Sequence, residues 1–300
     1  MKAYVTGVTG FVGAHVARAL AEQGADVRTE RVDLLDRHGL RRVIEGCDAV
    51  FHVAALYSYD ADPQMIELVN VEGTRNVIDA CSSVGVRRLV HTSTAGTCGP
   101  VAGRSATEED GPPGWELAVP YKRTKRDAER LVVDAASRGL DAVVVNPTTP
   151  IGDGDLKPTP TGRMIAGVAG GRIRAYLGTT GLNVVDVRDV AKGHVLAYER
   201  GARGERYLLG GVNLSLADLF AAIADLAHRP RPAIRIPYAA AAAAATAGLA
   251  NRDEVRLARL PMYFSSEKAQ DMLGYCPGPV TPALARAVRQ ALEVVGKEGA

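Results

Sequence analysis

In Tyr121-Lys-Arg-Thr-Lys125 a phenol and an ammonium stand four residues apart, on one face of a helix and one turn from each other. A chain of this composition yields such a pair by chance in about one case in four, so context must support it. Two features do. His91-Thr-Ser-Thr94 closes an apolar run and supplies hydroxyls, and glycines at 7, 10 and 13 lie between another apolar run and a helical pattern. Such a turn lets the backbone approach a pyrophosphate closely and aims a helix N-terminus at it. A free phenol, with a pKa of about 10, is a weak base near neutrality, and an adjacent ammonium together with an oxidised nicotinamide favours the phenolate. Tyr121 then exchanges a proton with a substrate hydroxyl or carbonyl, while Lys125 supplies the field and bonds to the nicotinamide ribose. Thr94 holds the reacting oxygen as hydride moves to or from the cofactor.

The elements that must carry these groups follow from periodicity. Lys2–Thr6 reads as a buried strand, and Val12, Val16 and Leu20 repeat at helical spacing up to Gly24. Residues 26–32 read as a second strand, 37–45 as a helix stopped by Gly46, and 49–53 as a third strand. Pro63 opens a helix whose apolar face, Ile66, Val69, Gly73, Val77 and Ile78, runs on to Gly85. Arg88–Thr92 is the next strand, residues 121–137 form a helix, and the strand 142–146 stops at Pro147. Strands alternating with helices predict an α/β fold with a doubly wound parallel sheet of Rossmann type, which binds ligands beyond the carboxyl ends of its strands. The stretch from Gly24 to Ala49 has room for one strand–helix step where such a half-domain carries two, so the sheet is expected to lack one edge strand. Residues 1–152 and 180–211 are assigned to the dinucleotide-binding domain, and 153–179 and 212–300 to a smaller, mostly helical substrate-binding lobe.

Composition narrows the class. Of 300 residues 47% are apolar and 23% charged, and 36 Lys and Arg against 34 Asp and Glu leave a formal charge of +2 with no basic stripe. That fits a packed chain acting on a small molecule and argues against nucleic acid as a partner. Cys47, Cys81, Cys98 and Cys276 show no Cys-x-x-Cys spacing, and the chain opens with no secretory pattern, so a cytoplasmic location is expected. Cys98, without a partner histidine, reads as an apolar filler. The alanine-rich stretch 239–250 is too short to span a bilayer and reads as a helix lying on an apolar surface, so no integral membrane segment is expected. The histidines do not pair at ligand spacings and Asp153-Gly-Asp155 reads as a turn, so no metal is assigned. Trp115 stands in the loop before Tyr121, placed either to close over substrate or to pack locally.

With these elements in view, the chain resembles the extended short-chain dehydrogenase/reductase family (NAD-dependent epimerase/dehydratase), from Val5-Thr-Gly-Val-Thr-Gly-Phe-Val-Gly13 nearly to its end. Asn146-Pro-Thr-Thr-Pro-Ile-Gly152, Lys157-Pro-Thr-Pro-Thr-Gly162, Arg206-Tyr-Leu-Leu-Gly-Gly211 and Phe264-Ser-Ser-Glu-Lys-Ala269 are most similar to the hopanoid-associated sugar epimerase group. Thr94-Ala-Gly-Thr97 is similar to plant dihydroflavonol reductases. The resemblance implies that Thr94, Tyr121 and Lys125 are a Ser/Thr–Tyr–Lys triad, with Ser93 ranked behind Thr94. It implies cofactor contacts from Gly7, Thr9, Gly10, Phe11, Val12 and Gly13 in the phosphate turn, and from Asp33, Leu34, Val53, Ala54 and Ala55 beside adenine. Thr92, Lys125, Pro147 and Thr148 would border the nicotinamide end, and Asn70 matches a position that orders the site.

The shortened segment leaves the cofactor open between NAD and NADP. Glu30 is placed to accept from a ribose 2′-OH, whereas Arg28 and Arg31 are placed to neutralise a 2′-phosphate. Nucleotide-sugar members of the family often carry an Arg ahead of a Val-Asp-Asp-Val-like motif. Here Leu182-Asn-Val184 precedes Val185-Asp-Val-Arg-Asp-Val190, which removes a diphosphate anchor. The expected activity is NAD(P)-dependent hydride transfer at a secondary alcohol or ketone of a sugar-like, lipid-linked or natural-product substrate. A sugar epimerase with tightly held NAD and no net redox change is the alternative, and an inactive nucleotide-sensing module a third reading. The helices around 63–83 and 121–137 carry surplus apolar surface, from which a homodimer is expected.

Overall fold

The computed structural model describes residues 1–57 and 62–298. β1 (Lys2–Thr6) enters a glycine turn and α1 (Phe11–Glu22), and β2 (Asp26–Arg28) leads through α2 (Arg37–Ile44) to β3 (Ala49–His52). α3 (Pro63–Glu67), a π-helical turn (Leu68–Glu72) and α4 (Gly73–Val84) run on continuously to β4 (Arg88–Thr92). Next come α5 (Pro120–Ser137), β5 (Ala142–Pro147), β6 (Thr149–Ile151), α6 (Pro160–Ala169), β7 (Ala175–Leu177) and β8 (Gly181–Asp186). α7 (Val187–Arg200), β9 (Arg206–Leu209), β10 (Val212–Ser215), α8 (Leu216–Leu226), β11 (Ile234–Ile236) and α9 (Tyr238–Thr246) follow. α10 (Arg252–Leu257), α11 (Glu267–Leu273) and α12 (Thr281–Glu298) complete the chain.

Six parallel strands stand in the order β2-β1-β3-β4-β5-β9. β5, an Ala-Val-Val-Val-Asn-Pro run buried throughout, shows why: a strand covered on both faces reads as a continuous apolar run. The chain steps outward from β1 to β2 and then crosses back to β3, so the carboxyl ends of β1 and β3 flank the point where winding reverses. β2 is itself the edge, three residues long, which is the expected loss of a strand. It stops at Arg28 rather than continuing to residue 32, and the chain soon enters α2, where Asp36 caps the helix by accepting from Gly39 N at 2.9 Å.

One face of the sheet packs Val16, Leu20, Val190 and Val195 of α1 and α7 against Val5, Phe51, Val90 and Val145. The other packs Leu40, Val77 and Val132 of α2, α4 and α5 against Val50, Leu89 and Val144. A separate core gathers Ile165, Leu219, Phe220, Leu284 and Val288 of α6, α8 and α12 beneath a small sheet, β10-β8-β6, through Val184 and Ile151. Arg286 of α12 bonds Asp153 at 2.9 Å and Asp186 at 2.6 Å, and His15 of α1 meets the Asp153 carbonyl at 2.8 Å, so ion pairs and α1 meet at the seam between the two cores.

Two helices depart from their sequence outline. The helix opened by Pro63 is interrupted by the π-helical turn that contains Asn70. The alanine run forms α9, which packs on α10 and buries Ala245 while most of its other alanines stay at least partly exposed. Among the described residues no helix is long and apolar enough to cross a membrane.

Candidate functional site

Gly7 leaves β1 at φ +72°, a region that costs an L side chain about 1–2 kcal/mol. A Cβ there would also stand 2.9 Å from the Ala54 backbone, and one on Gly13 would run into the Gly7 carbonyl. Gly10 caps α1 without a side chain, so the helix opens with N–H groups where Phe11, Val12 and Gly13 wall the cleft. A cradle that only glycine can close, with a helix N-terminus over it, fits a dinucleotide pyrophosphate. From it a cleft of about 840 Å³ extends over the carboxyl ends of β1, β3, β4 and β5 to the second core.

The far half of the cleft holds the Tyr–Lys pair. Pro120 starts α5, and Lys125, 3% exposed, donates from Nζ to the Thr92 carbonyl at 2.7 Å. Burial lowers the Lys125 ammonium to about 8, against the pull of Glu129 one turn further on. The Tyr121 ring lies 4.5 Å from that of Tyr57, inclined by 36°. Burial, and then the neighbouring Tyr57 phenol, push the Tyr121 phenol up, so it holds its proton. Thr94 is extended, φ −152° and ψ 147°, and its Oγ1 accepts from Gly96 N at 3.3 Å. That uses a lone pair and leaves the hydroxyl proton to donate into the cleft. Ser93, ranked behind Thr94, also lines the cleft, with a buried Oγ that has no hydrogen-bond partner among the described residues.

A buried polar layer supports this wall. Glu129 accepts from Thr97 Oγ1 and Asn146 Nδ2, both at 2.7 Å, and from Arg206 Nη1 at 2.9 Å. Asn146 Nδ2 also reaches the Thr94 carbonyl at 3.2 Å, which ties the turn after β4 to β5. Asn70 lies in the π-helical turn, 2% exposed. Its Oδ1 accepts from Leu56 N at 2.7 Å, and its Nδ2 donates to the Leu56 carbonyl and to Thr124 Oγ1, each at 3.2 Å. The π-helical turn thereby clamps the loop after β3 to α5.

The cleft wall brings together Gly7, Thr9, Gly10, Phe11, Val12 and Gly13 with Val53, Ala54 and Ala55, and further along Thr92, Thr94, Tyr121, Lys125, Pro147 and Thr148. Thr92 contributes its carbonyl, since its hydroxyl meets His194 Nε2 at 2.8 Å. Six expected residues are not part of that wall: Arg28, Glu30, Arg31, which is exposed, Asp33, Leu34 and Asn70. Arg28 donates from Nη1 to the Val43 and Glu45 carbonyls at 3.0 and 2.8 Å, which ties the end of β2 to the end of α2. Glu30 is exposed beyond β2, Asp33 accepts from Leu35 N at 3.0 Å in its own turn, and Leu34 is buried against Gly73. Asn70 acts from behind the wall. Residues the sequence reading passed over are Tyr57 and Lys122 in the wall and Glu129 and Arg206 beneath it. Lys122 and Glu129 stand on the helix of the Tyr–Lys pair, a signal that was available; nothing in the sequence marks Tyr57. Cys98 is fully buried beside Ala95 and Phe264 and burial pushes its thiol up to about 12, as a filler requires. Trp115 stacks locally under the Arg259 guanidinium at 5.6 Å. Among the described residues no three His, Cys, Asp or Glu side chains converge as metal ligands.

The model of the NAD dependent epimerase/dehydratase family matches residues 3–210. The chain is 37% identical over 319 aligned residues to a putative dihydroflavonol 4-reductase of Synechocystis, covering 95% of this chain and 93% of that one. It is 36% identical over 256 residues to sterol demethylase protein B of Methylococcus capsulatus, covering 79% and 78%. Among solved structures, a nucleoside-diphosphate-sugar epimerase from Pseudomonas aeruginosa superposes with a TM-score of 0.83 at 28% identity over 98% of both chains.

Proposed function

The chain belongs to the NAD dependent epimerase/dehydratase family, and from that premise we propose that it reduces, or in reverse oxidises, a largely apolar small molecule with an exchangeable NAD(P). It is an NAD(P)-dependent enzyme of extended short-chain dehydrogenase/reductase type. The observation that carries the finer reading is the meeting of Thr94, Tyr121 and Lys125 between a glycine cradle at one end of the cleft and an apolar wall at the other. Met164, Ile173, Leu182, Leu216, Leu257 and Met262 make up that wall. Relatives named for a dihydroflavonol and a sterol are consistent with a bulky apolar substrate.

A bound nicotinamide supplies the hydride or takes it up. In reduction Tyr121 Oη gives its proton to the substrate carbonyl oxygen, and Thr94 Oγ1 donates a second hydrogen bond to that oxygen. The Lys125 ammonium, held on the Thr92 carbonyl, stabilises the phenolate that remains. Oxidation of an alcohol runs the same steps backwards.

Tyr121→Phe tests the assignment. Turnover should fall by about a thousandfold or more, with the cofactor dissociation constant within about threefold of the wild-type value. A variant that keeps its turnover removes Tyr121 as proton donor. The similarity to a nucleotide-sugar epimerase supports a second reading, in which NAD is retained and no net redox change occurs. NAD that co-purifies with the protein, and conversion of substrate without any change in reduced-nicotinamide absorbance, would favour it. The free thiols among the four cysteines suit a cytoplasmic setting, and exposed Met65 and Leu68 on the α3–α4 run suit a homodimer, which size-exclusion with light scattering tests.

A further inference from the structure

The substrate end of the cleft holds a second buried cation that the mechanism does not use. Lys122, next to Tyr121 on α5, is 6% exposed, and its Nζ stands 3.5 Å from Oε2 of Glu116, which has no exposure at all. Neither Glu116 oxygen has a hydrogen-bond partner among the described residues. Gly96 makes room for the ammonium, because a Cβ on it would take the place of Nζ. Lys122 therefore lies over the turn that follows Thr94, and both Lys122 and Gly96 line the cleft.

Taking two charges out of water is costly, and a pair this long, with both carboxylate oxygens unbonded, recovers little of that cost. The arrangement is a poor stabilising device. It is a good way to present an ammonium to a ligand, since lysine carries three donors and the ion pair engages at most one of them.

We propose that Lys122 is a specificity residue that donates to an uncharged oxygen, a hydroxyl or carbonyl, on the substrate carbon next to the one exchanging hydride. This rests on the oxidoreductase reading of the site. Glu116 balances the charge of Lys122, so the pair is neutral overall, and an anionic group brought to Nζ would also face the buried carboxylate. The neighbouring carbon is indicated because Nζ lies over Gly96, whose N–H bonds the Thr94 hydroxyl that holds the reacting oxygen.

Benzoin and deoxybenzoin, bulky ketones that differ by one hydroxyl beside the carbonyl, provide the test. Their dissociation constants for the NADH- and NADPH-loaded enzyme are read from nicotinamide fluorescence, and kcat/KM from its loss of absorbance. The wild-type enzyme should prefer benzoin by about tenfold or more in both, as a charge-assisted hydrogen bond provides. Lys122→Met combined with Glu116→Gln, which leaves no lone buried carboxylate, should bring the ratio close to one, and Lys122→Arg should restore part of the preference. A wild-type ratio near one, binding of neither ketone, or an equal loss for both ketones in the double variant overturns the inference. Selective binding that disappears with Lys122, without turnover of any ketone, supports it and refutes the oxidoreductase reading instead.

Discussion

Replacing Asn70 by Ala removes the clamp between the loop after β3 and α5. Three hydrogen bonds go, at 2.7, 3.2 and 3.2 Å. Leu56 is only partly buried, so water can reach its freed N–H and C=O, while Thr124, 1% exposed, keeps its own bond to the Tyr121 carbonyl at 3.0 Å. The full penalty of about 1–3 kcal/mol for an orphaned buried group thus applies to little of the set, and a total of about 2–3 kcal/mol is expected. In a chain of this length that lowers Tm by roughly 3–5 °C, measured by calorimetry. The catalytic effect should be larger than the stability effect suggests, because Leu56 precedes Tyr57, whose ring lies against Tyr121 at 4.5 Å. A displacement of about 1 Å there corresponds to a loss of up to roughly a hundredfold in kcat/KM. Asn70→Asp sharpens the test: it keeps an acceptor for Leu56 N but sets a carboxylate oxygen against the Leu56 carbonyl. Burial raises the folded-state pKa of such a carboxyl above its unfolded value, so this variant should be the less stable of the two at neutral pH and gain stability as pH falls through that raised pKa. An alanine variant with unchanged Tm and unchanged kcat/KM would refute the clamp.

Two further outcomes follow from the same geometry. Gly13→Ala drives a Cβ into the Gly7 carbonyl and must open the cradle, so the NAD(P) dissociation constant, measured by calorimetric titration, should rise by roughly a hundredfold while circular dichroism stays that of a folded protein; unchanged affinity would place the pyrophosphate elsewhere. With Tyr121 protonated throughout, the pH dependence of kcat/KM for reduction should report Lys125: flat below, then falling as pH rises through about 8 and the ammonium is lost. A profile still level well above that pH would show that the ammonium is not required.

The sheet was legible because its signals are local. Val-rich strands such as β5 and the glycine spacing at 7, 10 and 13 each report on their own few residues, and even the missing strand showed as a chain too short between Gly24 and Ala49. The Tyr–Lys pair was legible for the same reason, being one turn of one helix. Partners set by tertiary packing were not. The bonds from Arg28 Nη1 to the Val43 and Glu45 carbonyls are an example, since nothing in the spacing of residues 28, 43 and 45 announces them. Asn70 was expected to order the site, but the means, a π-helical turn that clamps the loop after β3 to α5, is not announced by periodicity. The state of Tyr121 could not be read from spacing either, since it depends on how deeply Tyr57 and the cleft bury the phenol.

Burial lowers the Lys125 ammonium only to about 8, since Glu129 pulls the other way, so it remains a cation at neutral pH, and the imidazoles behind the wall are uncharged. Burial lowers His52 to about 3, His194 to about 4 and His91 well below its ordinary value, and the Lys125 charge adds to the lowering at His52 and His91. Hydrogen bonding then selects one neutral tautomer at two of them. Thr74 Oγ1 donates to the Asn70 carbonyl at 2.7 Å, so His52 Nε2, 3.0 Å from that oxygen, must be the donor. His52 Nδ1 is left to accept from Thr6 Oγ1 at 2.9 Å, and Thr6 in turn receives Val53 N and Ala54 N at 3.0 Å. At His194 the Val190 carbonyl, 2.8 Å from Nδ1, requires a proton there, which makes Nε2 the acceptor for the Thr92 hydroxyl. Protonating either ring would break a bond that leads to the cleft wall, through Thr6 on β1 to Val53 and Ala54 or directly to Thr92 on β4. The network that positions the cradle and the Thr92 carbonyl that accepts from Lys125 is therefore also what keeps the imidazoles beside the ammonium uncharged.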